Sequence, residues 1–270
     1  MTAAIQSIQN KLQLDATQIK IIACVLMLMD HIREMFGPLG APWQLTMLGR
    51  PVFVMFLFLM ADSFYYTSNR RKLMSRLFLG SLFMNIFNSL IGGYLLQNPD
   101  VVLMNNAFST FFLAVWYMWV WTMFVKGFTE KSAKPIFLGI LLALLPVLSA
   151  VPVVIALNAG ITSRWILQLI FIIPNVLLVE GGLLMIFFGL GLYILRERRM
   201  LQILLLFALT AFVIYTRGIT DVQWLMVFGA IPMFLYNGEK GRGLKDFFYI
   251  FYPAHIYILY IVATLIMLAK

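Results

Sequence analysis

Long apolar segments separated by short polar stretches make up most of this chain. A helix that crosses a bilayer needs about 20 predominantly apolar residues, because each residue adds about 1.5 Å and the hydrocarbon layer is about 30 Å thick. Segments of that length recur along the sequence and predict an all-α fold, a polytopic transmembrane helix bundle of about nine or ten spans. The candidate spans lie at about 18–37, 51–67, 73–96, 107–126, 135–157, 163–195, 200–216, 222–236 and 247–269.

The segment at 163–195 contains a predicted interruption. Pro174 and the glycine pair at 181 and 182 break the apolar pattern on either side of Glu180. Non-helical backbone is tolerated at membrane depth where protein or a wet cavity receives its polar groups. We therefore predict a broken or re-entrant helix here, and Glu180 is a candidate substrate-binding residue because an intramembrane acid has to be paired or hydrated.

The spans leave no length for a soluble domain, and no internal repeat or linker interrupts them. We therefore predict a single integral membrane domain over residues 1–270.

The charged residues are concentrated in the polar stretches between the apolar segments. Only 11% of the residues are charged, yet the net charge is +9. Most basic residues fall in short clusters between apolar segments, which is the positive-inside pattern rather than a nucleic-acid-binding surface. It predicts a cytoplasmic N-terminus and external segments at 38–48 and 97–106. The clusters are Arg70, Arg71, Lys72 and Arg76; Lys126, Lys131 and Lys134; Arg196, Arg198 and Arg199; and Lys240, Arg242 and Lys245.

The chain has two histidines, His31 in the first predicted span and His255 in the last. Both fall near the predicted midplane, where ionisable side chains are costly and usually functional, so they can face one cavity. Asp62 in the second span, or Asp30, is the expected partner that fixes the tautomer of His31. The alternative is that these residues only hydrogen-bond neighbouring helices or, for His255, an interfacial tyrosine.

Two further positions carry candidate chemistry. Arg50 begins the second span and can snorkel to headgroups, hold an anionic substrate group or orient Asp30. The stretch NGEKGRGLKDFFY, residues 237–249, combines glycines with Lys240, Arg242 and Lys245, as a phosphate site or an ordinary positive-inside loop would. Walker, dinucleotide, HExxH, CxxC and GxSxG motifs do not occur, and we expect no metal site.

Several of these stretches together resemble the TraX family of bacterial membrane proteins. The matching stretches run in order over residues 15–260, and the last, with its YPAH motif, is the most specific. They are DATQIKIIACVLMLMDHI, LGRPVFVMFLFLMADSFYYTSNRRKLMSRL, NNAFSTFF, VEGGLLMIFFGLGLYILR and LYNGEKGRGLKDFFYIFYPAHIYILY.

The resemblance implies an activity. The family takes its name from a conjugative-pilus protein that acetylates the amino terminus of pilin, and it is similar to transmembrane acyltransferases that use coenzyme A on the cytoplasmic side. It implies a multi-pass protein of the bacterial cytoplasmic membrane with acetyl-CoA as acyl donor. The acceptor would be a small molecule, a peptide or a glycan, since nothing in the chain points to pilin. The residues it implicates are Asp30, His31, Arg50, Asp62, Tyr252 and His255.

These observations lead to a functional hypothesis with two alternatives. His31 would deprotonate the acceptor or carry the acyl group, while His255 or Tyr252 would stabilise the oxyanion or protonate the leaving thiolate. Lys240, Arg242 and Lys245 would hold the phosphates of coenzyme A. The first alternative is a proton-coupled transporter that uses the Asp and His groups as a relay, and the second is an assembly factor without chemistry.

Overall fold

The computed structural model describes residues 12–161, 163, 166, 170 and 172–270, without the side chain of Lys245. This part of the chain consists of helices joined by turns and short irregular segments, and it contains no β-strand. The predicted all-α, polytopic helical fold is confirmed. The α-helices are α1 (Ala16–Phe36), α2 (Leu45–Gly49), α3 (Val52–Tyr66), α4 (Arg70–Leu90), α5 (Ala107–Thr129), α6 (Ala133–Leu148), α7 (Val151–Asn158), α8 (Gly182–Ile194), α9 (Arg199–Arg217), α10 (Ala230–Leu235) and α11 (Lys245–Leu268).

Polar residues at the helix starts explain several of these boundaries. Asp15 accepts from the backbone N–H of Gln18 at 2.8 Å, and the Gln18 side chain accepts from the N–H of Asp15, so α1 begins with a capping box. Asn69 accepts from the N–H of Lys72 in the same way at the start of α4. Each cap satisfies backbone donors that a helix start otherwise leaves without a partner.

Six of the described helical segments are long and apolar enough to cross a membrane. They are Leu45–Tyr66, Arg70–Leu95, Ala107–Thr129, Ala133–Asn158, Arg199–Arg217 and Asp246–Leu268. The remaining predicted spans correspond to two shorter apolar segments, Gly182–Ile194 and Val222–Leu235, and to α1. Helix α1 has the length of a span but carries Lys20, Asp30, Arg33 and Glu34.

The predicted break near Glu180 is confirmed. Residues 172–181 form turns, and α8 begins at Gly182, where two consecutive glycines have positive φ angles of 75° and 61°. The side-chain oxygen of Asn175 accepts from the backbone N–H groups of Leu177 and Leu178, each at 3.1 Å. The turn therefore satisfies part of its own backbone, as a helix interruption inside a membrane requires. Most of residues 162–171 lie outside the described part of the chain.

The chain forms two compact units. The first unit contains the chain through Leu59, the short segment Asn98–Val101 and Ile194–Lys270. In it, α1 packs against α2 and α11, and α9 packs against α10 and the 3₁₀ segment Val222–Gly229. The second unit contains Met60–Gln97 and Val102–Tyr193. Its core includes Leu113, Tyr117, Ala150, Val176, Val179 and Ile186. The single integral domain over residues 1–270 stays a prediction.

Candidate functional site

The two histidines lie in direct contact inside the first unit. Nδ1 of His31 on α1 lies 2.7 Å from Nε2 of His255 on α11, and the two ring centroids are 4.9 Å apart. Both residues are buried, with exposed fractions of 7% and 6%. The sequence suggested that these residues can face one cavity; in the structure they contact each other directly, although they are 224 positions apart in the sequence.

The second ring nitrogen of His255 also has a partner. Its Nδ1 lies 2.6 Å from the backbone oxygen of Phe251, one turn earlier on α11. The Phe251 ring stacks on the imidazole with a centroid distance of 4.6 Å and an interplanar angle of 15°. These two contacts fix both the position and the plane of the His255 ring.

The two hydrogen bonds determine which nitrogen carries a proton when both rings are neutral. A carbonyl oxygen only accepts, so Nδ1 of His255 is the protonated nitrogen and donates to Phe251. Nε2 of His255 then has the lone pair and accepts from Nδ1–H of His31. The remaining lone pair of the assembly is therefore on Nε2 of His31, which is the nitrogen that can receive a proton.

The carboxylate of Glu34 lies close to that nitrogen. Its Oε2 lies 3.7 Å from Nε2 of His31, beyond the length of a hydrogen bond, and its side chain is 38% exposed. The sequence reasoning did not single out Glu34. Its spacing of three residues from His31 was the available signal, because residues three apart share a helix face.

Asp30 and Arg50 form a separate ion pair. Nη2 of Arg50 donates to both carboxylate oxygens, at 2.8 and 3.0 Å. The same guanidinium donates through Nε to the backbone oxygen of Thr46 at 3.0 Å, and through Nη1 to Oε1 of Gln223 at 3.1 Å. It thus joins α1, α2 and the segment Val222–Gly229. Of the three roles considered for Arg50, the contact with Asp30 is confirmed.

Gly49 explains why the pair can form at this place. A side-chain carbon added at Gly49 would overlap the carboxylate of Asp30. The glycine before Arg50 therefore leaves space for the acid on the neighbouring helix.

The partner of His31 differs from the one expected. The sequence pointed to Asp30 or Asp62, whereas Nδ1 of His31 faces His255 and the carboxylate of Asp30 binds Arg50. Adjacent helical residues point about 100° apart, which is why Asp30 and His31 meet different helices. Asp62 is half-buried in the second unit, and its catalytic role stays a prediction.

Two predicted substrate-binding residues have contrasting positions. Tyr252 is buried, and its ring lies edge-on to His255 with a centroid distance of 6.1 Å. Glu180 lies in the second unit with an exposed side chain, and its backbone oxygen accepts from the hydroxyl of Thr110 at 2.8 Å. Their roles toward a substrate stay predictions.

The basic loop after α10 packs on the start of α1. The backbone oxygens of Lys240 and Arg242 accept from the hydroxyl of Thr17, at 3.0 and 2.6 Å, while both basic side chains are exposed. Gly238 and Gly241 have φ angles of 85° and 68°, a conformation that glycine adopts readily. The side chain of Lys245, the third predicted phosphate ligand, lies outside the described part of the structure.

A second buried polar cluster joins α4 and α5 in the second unit. The side-chain amide of Asn106 donates to the backbone oxygen of Ser81 at 3.0 Å and to Oδ1 of Asn85 at 2.7 Å. The hydroxyls of Ser81 and Ser109 are 2.7 Å apart, and the Asn106 oxygen accepts from the N–H of Ser109. Hydrogen bonding between neighbouring helices, a common role of polar residues in membrane proteins, describes this cluster.

The sequence was also compared with known proteins. The family model described as TraX protein matches residues 15–132 and residues 127–263, which together include nearly the whole chain and every residue of the histidine site. No curated protein matches the sequence, and no solved structure does. The resemblance of the motifs is confirmed by this match, and the chain belongs to the TraX family.

Proposed function

We propose that this protein is a membrane-embedded acyltransferase that moves an acetyl group from cytoplasmic acetyl-CoA to an amine or hydroxyl of an extracytoplasmic acceptor. The observation that carries the proposal is the hydrogen-bond order from His31 through His255 to Phe251. It leaves a lone pair on Nε2 of His31, and acyl transfer needs such a base. The resemblance to the family supplies the acyl donor.

In the proposed reaction, His31 takes one proton from the acceptor and gives one proton to the leaving thiolate. Nε2 of His31 takes the proton from the acceptor O–H or N–H while the acceptor atom attacks the thioester carbon. The carbon–sulfur bond breaks, and the imidazolium returns the proton to the coenzyme A thiolate. In the covalent variant, Nε2 attacks the thioester carbon, the carbon–sulfur bond breaks and coenzyme A is released as the thiolate. The acceptor then attacks the acetyl carbon, the bond from that carbon to Nε2 breaks, and the acceptor proton passes through Nε2 to the thiolate.

His255 has the orienting role in this scheme. Both of its ring nitrogens are bound, one to His31 and one to Phe251, so it is not available to protonate a leaving group in the same state. By accepting from Nδ1–H of His31, it stabilises the imidazolium that forms during transfer. Tyr252, buried beside it, is the remaining candidate for the oxyanion or the leaving thiolate.

The exposed side chains of Lys240 and Arg242, with Lys245, would hold the phosphates of the acyl donor. This proposal puts the loop and the N-terminus on the cytoplasmic side of the bacterial inner membrane, as the positive-inside pattern predicts. Arg50 is bound to Asp30, so we assign it to holding that carboxylate rather than to an anionic acceptor.

Labelled coenzyme A tests the donor half without knowledge of the acceptor. Purified protein is incubated with acetyl-CoA and isotopically labelled coenzyme A, and both exchange of the label into acetyl-CoA and hydrolysis of the thioester are measured. Exchange without acceptor means a covalent acetyl-enzyme, and hydrolysis without exchange means base catalysis. His31→Ala should abolish both reactions, while Met35→Leu, a volume-conserving change at a buried position one turn away, should leave them intact. Full activity in His31→Ala would contradict the proposal.

The same pair of imidazoles suits a second candidate, a proton-coupled transporter. Two hydrogen-bonded rings in series can pass a proton from one nitrogen to the next. This candidate predicts that reconstituted vesicles develop solute uptake or efflux in response to a pH gradient, without acetyl-CoA. Gradient-driven transport by a protein that neither binds nor cleaves acetyl-CoA would replace the acyltransferase proposal.

A further inference from the structure

The start of α1 is held by the chain that leads into α11. The N–H of Leu14 donates to the backbone oxygen of Leu235 at 2.9 Å, and the N–H of Asn237 donates to the oxygen of Leu14 at 3.0 Å. The N–H of Ala16 donates to the oxygen of Glu239 at 2.9 Å. We call residues 14–17 and 235–242 together the N-terminal clamp. It joins the two helices that carry the histidine pair.

Thr17 is the side chain through which the clamp holds α1. The residue is buried, with 6% of its surface exposed, and its hydroxyl lies within hydrogen-bond distance of the backbone oxygens of Lys240 and Arg242. These carbonyls flank Gly241, at which an added side-chain carbon would overlap the carboxylate of Asp15. A hydroxyl has one proton to donate, so these two carbonyls share one donor.

Because Thr17 and His31 lie on one helix, a shift of α1 along its axis at Thr17 also moves His31. Fourteen residues separate Thr17 from His31, which corresponds to about 21 Å along the helix at about 1.5 Å per residue. A slip of α1 along α11 by a single residue would therefore be about 1.5 Å. The nitrogens of the pair, on two neighbouring helices, are 2.7 Å apart, so a slip of that size would displace Nδ1–H of His31 sideways from the lone pair on Nε2 of His255 and weaken their hydrogen bond, which depends on both distance and angle.

We propose that Thr17 is a positioning residue, which fixes the axial register of α1 against α11 and so keeps Nδ1 of His31 on Nε2 of His255. Its hydroxyl holds the carbonyls of the basic loop, and the loop continues directly into α11. The kinetic consequence rests on the acyl transfer proposed above, whereas the register itself does not. Without the clamp, His31 loses the partner that leaves the lone pair on its Nε2.

Nitrogen NMR of the detergent-purified full chain tests the register without any assay of activity. Because the chain has two histidines, uniformly ¹⁵N-labelled histidine places the label only in the two residues of this pair, including their ring nitrogens. A scalar coupling between the two ring nitrogens across the hydrogen bond is expected in the unmutated protein and in Thr17→Ser. It should be lost in Thr17→Val. A coupling that persists in Thr17→Val, or that is absent from the unmutated protein, would overturn the inference.

Two controls separate positioning from general damage. Thr210→Val removes another buried hydroxyl, which bonds only the backbone of its own helix at Leu206, and should keep the coupling. Gly241→Ala is the alternative variant if Thr17→Val does not fold. It disturbs the clamp because the added carbon would overlap the carboxylate of Asp15. It should abolish the coupling. Gly238→Ala is the matched control, because Gly238 also has a positive φ angle but an added side-chain carbon there would contact no other atom. This variant should retain the coupling between the ring nitrogens.

Kinetics supply the matching readout. Thr17→Val should lower the kcat of acetyl-CoA cleavage about tenfold and leave KM unchanged, because the loop side chains still face the donor while the base is misaligned. Thr17→Ser should restore kcat. If the unmutated protein shows the nitrogen coupling but no acetyl-CoA chemistry, the acyltransferase proposal fails and the assignment of Thr17 stands.

Discussion

The two units each contain a buried polar cluster, and the clusters differ in kind. The cluster around Asn106 joins amides and hydroxyls that stay neutral at any physiological pH, and its members bond one another across α4 and α5. In the histidine pair, the bond to the Phe251 oxygen fixes the tautomer of His255, and the bond between the rings then fixes the tautomer of His31. The nitrogen left with a lone pair is Nε2 of His31. Burial of polar groups alone therefore does not mark a functional site. The distinguishing features are a group that titrates and a nitrogen left to receive a proton.

The largest effect on this comparison is expected from removal of the proposed base. His31→Ala should lower acetyl-CoA turnover by about 10² to 10⁴-fold, the usual contribution of a positioned acid or base. The melting temperature should fall only modestly, because the change leaves a single buried acceptor, Nε2 of His255, without its donor, at a cost of about 1–3 kcal/mol. Turnover and thermal unfolding are measured on the same detergent-purified sample. A large loss of stability with turnover preserved would make the pair a structural contact like the Asn106 cluster.

Removing the orienting ring should have the next largest effect. His255→Leu should lower turnover about tenfold to a hundredfold, as for other partners that orient a functional histidine. His255→Gln should retain more activity, since its side-chain oxygen can still accept from Nδ1–H of His31. The comparison of the two variants by kcat isolates the hydrogen bond from the packing. Equal losses of kcat in the two variants would show that the hydrogen bond from Nδ1–H of His31 does not contribute to turnover.

The opposite result is expected for the second cluster. Asn106→Ala should destabilise the protein by about 0.6 to 1.7 kcal/mol, from the average to the largest value measured for hydrogen bonds between membrane helices. Ser81, Asn85 and Ser109 all lose a bond to this side chain. Denaturant unfolding measures the loss, and turnover per folded molecule should be unchanged. A fall in kcat without a change in stability would show that this cluster also takes part in chemistry.

Arg50→Lys should have the smallest effect of the series. A lysine ammonium can keep the ion pair with Asp30 but cannot also reach Thr46 and Gln223 in the same fork geometry. We expect a loss of about 0.5 kcal/mol of stability and less than a threefold change in turnover. Arg50→Leu, which leaves Asp30 without its partner, is the matched comparison and should cost more. A selective rise in KM for the acceptor in Arg50→Lys would show that the guanidinium binds substrate.

The sequence predicted the membrane class and the common depth of the histidines better than it predicted their partners. Apolar segment length indicates a span, and residue position within a span indicates depth, so His31 and His255 were expected at one level. The order of spans does not say which helices are neighbours. A carboxylate was therefore expected at His31 where the structure has a second imidazole.

Other differences have equally local reasons. The break near Glu180 was predictable because proline and paired glycines interrupt a helix by their own backbone geometry. The N-terminal clamp was not, although the capping box Asp15–Gln18 is visible in the sequence. The Thr17 hydroxyl of the clamp bonds backbone carbonyls of a loop more than 200 residues away. Every residue has a backbone carbonyl, so the sequence does not indicate which carbonyls will accept this hydrogen bond.

The Asp30–Arg50 pair also has a consequence for how the protein is made. A charged residue near the middle of a helix costs about 2.5 to 3.5 kcal/mol during insertion by the translocon, and Asp30 is the charged residue of α1 nearest to its middle. The partner of Asp30 is 20 residues further along the chain, so it leaves the ribosome about one to four seconds later at about 5–20 residues per second. Helix α1 thus depends for its neutralisation on a residue that is not yet synthesised when it reaches the membrane. The first two hydrophobic segments should therefore integrate together, as one biogenesis unit.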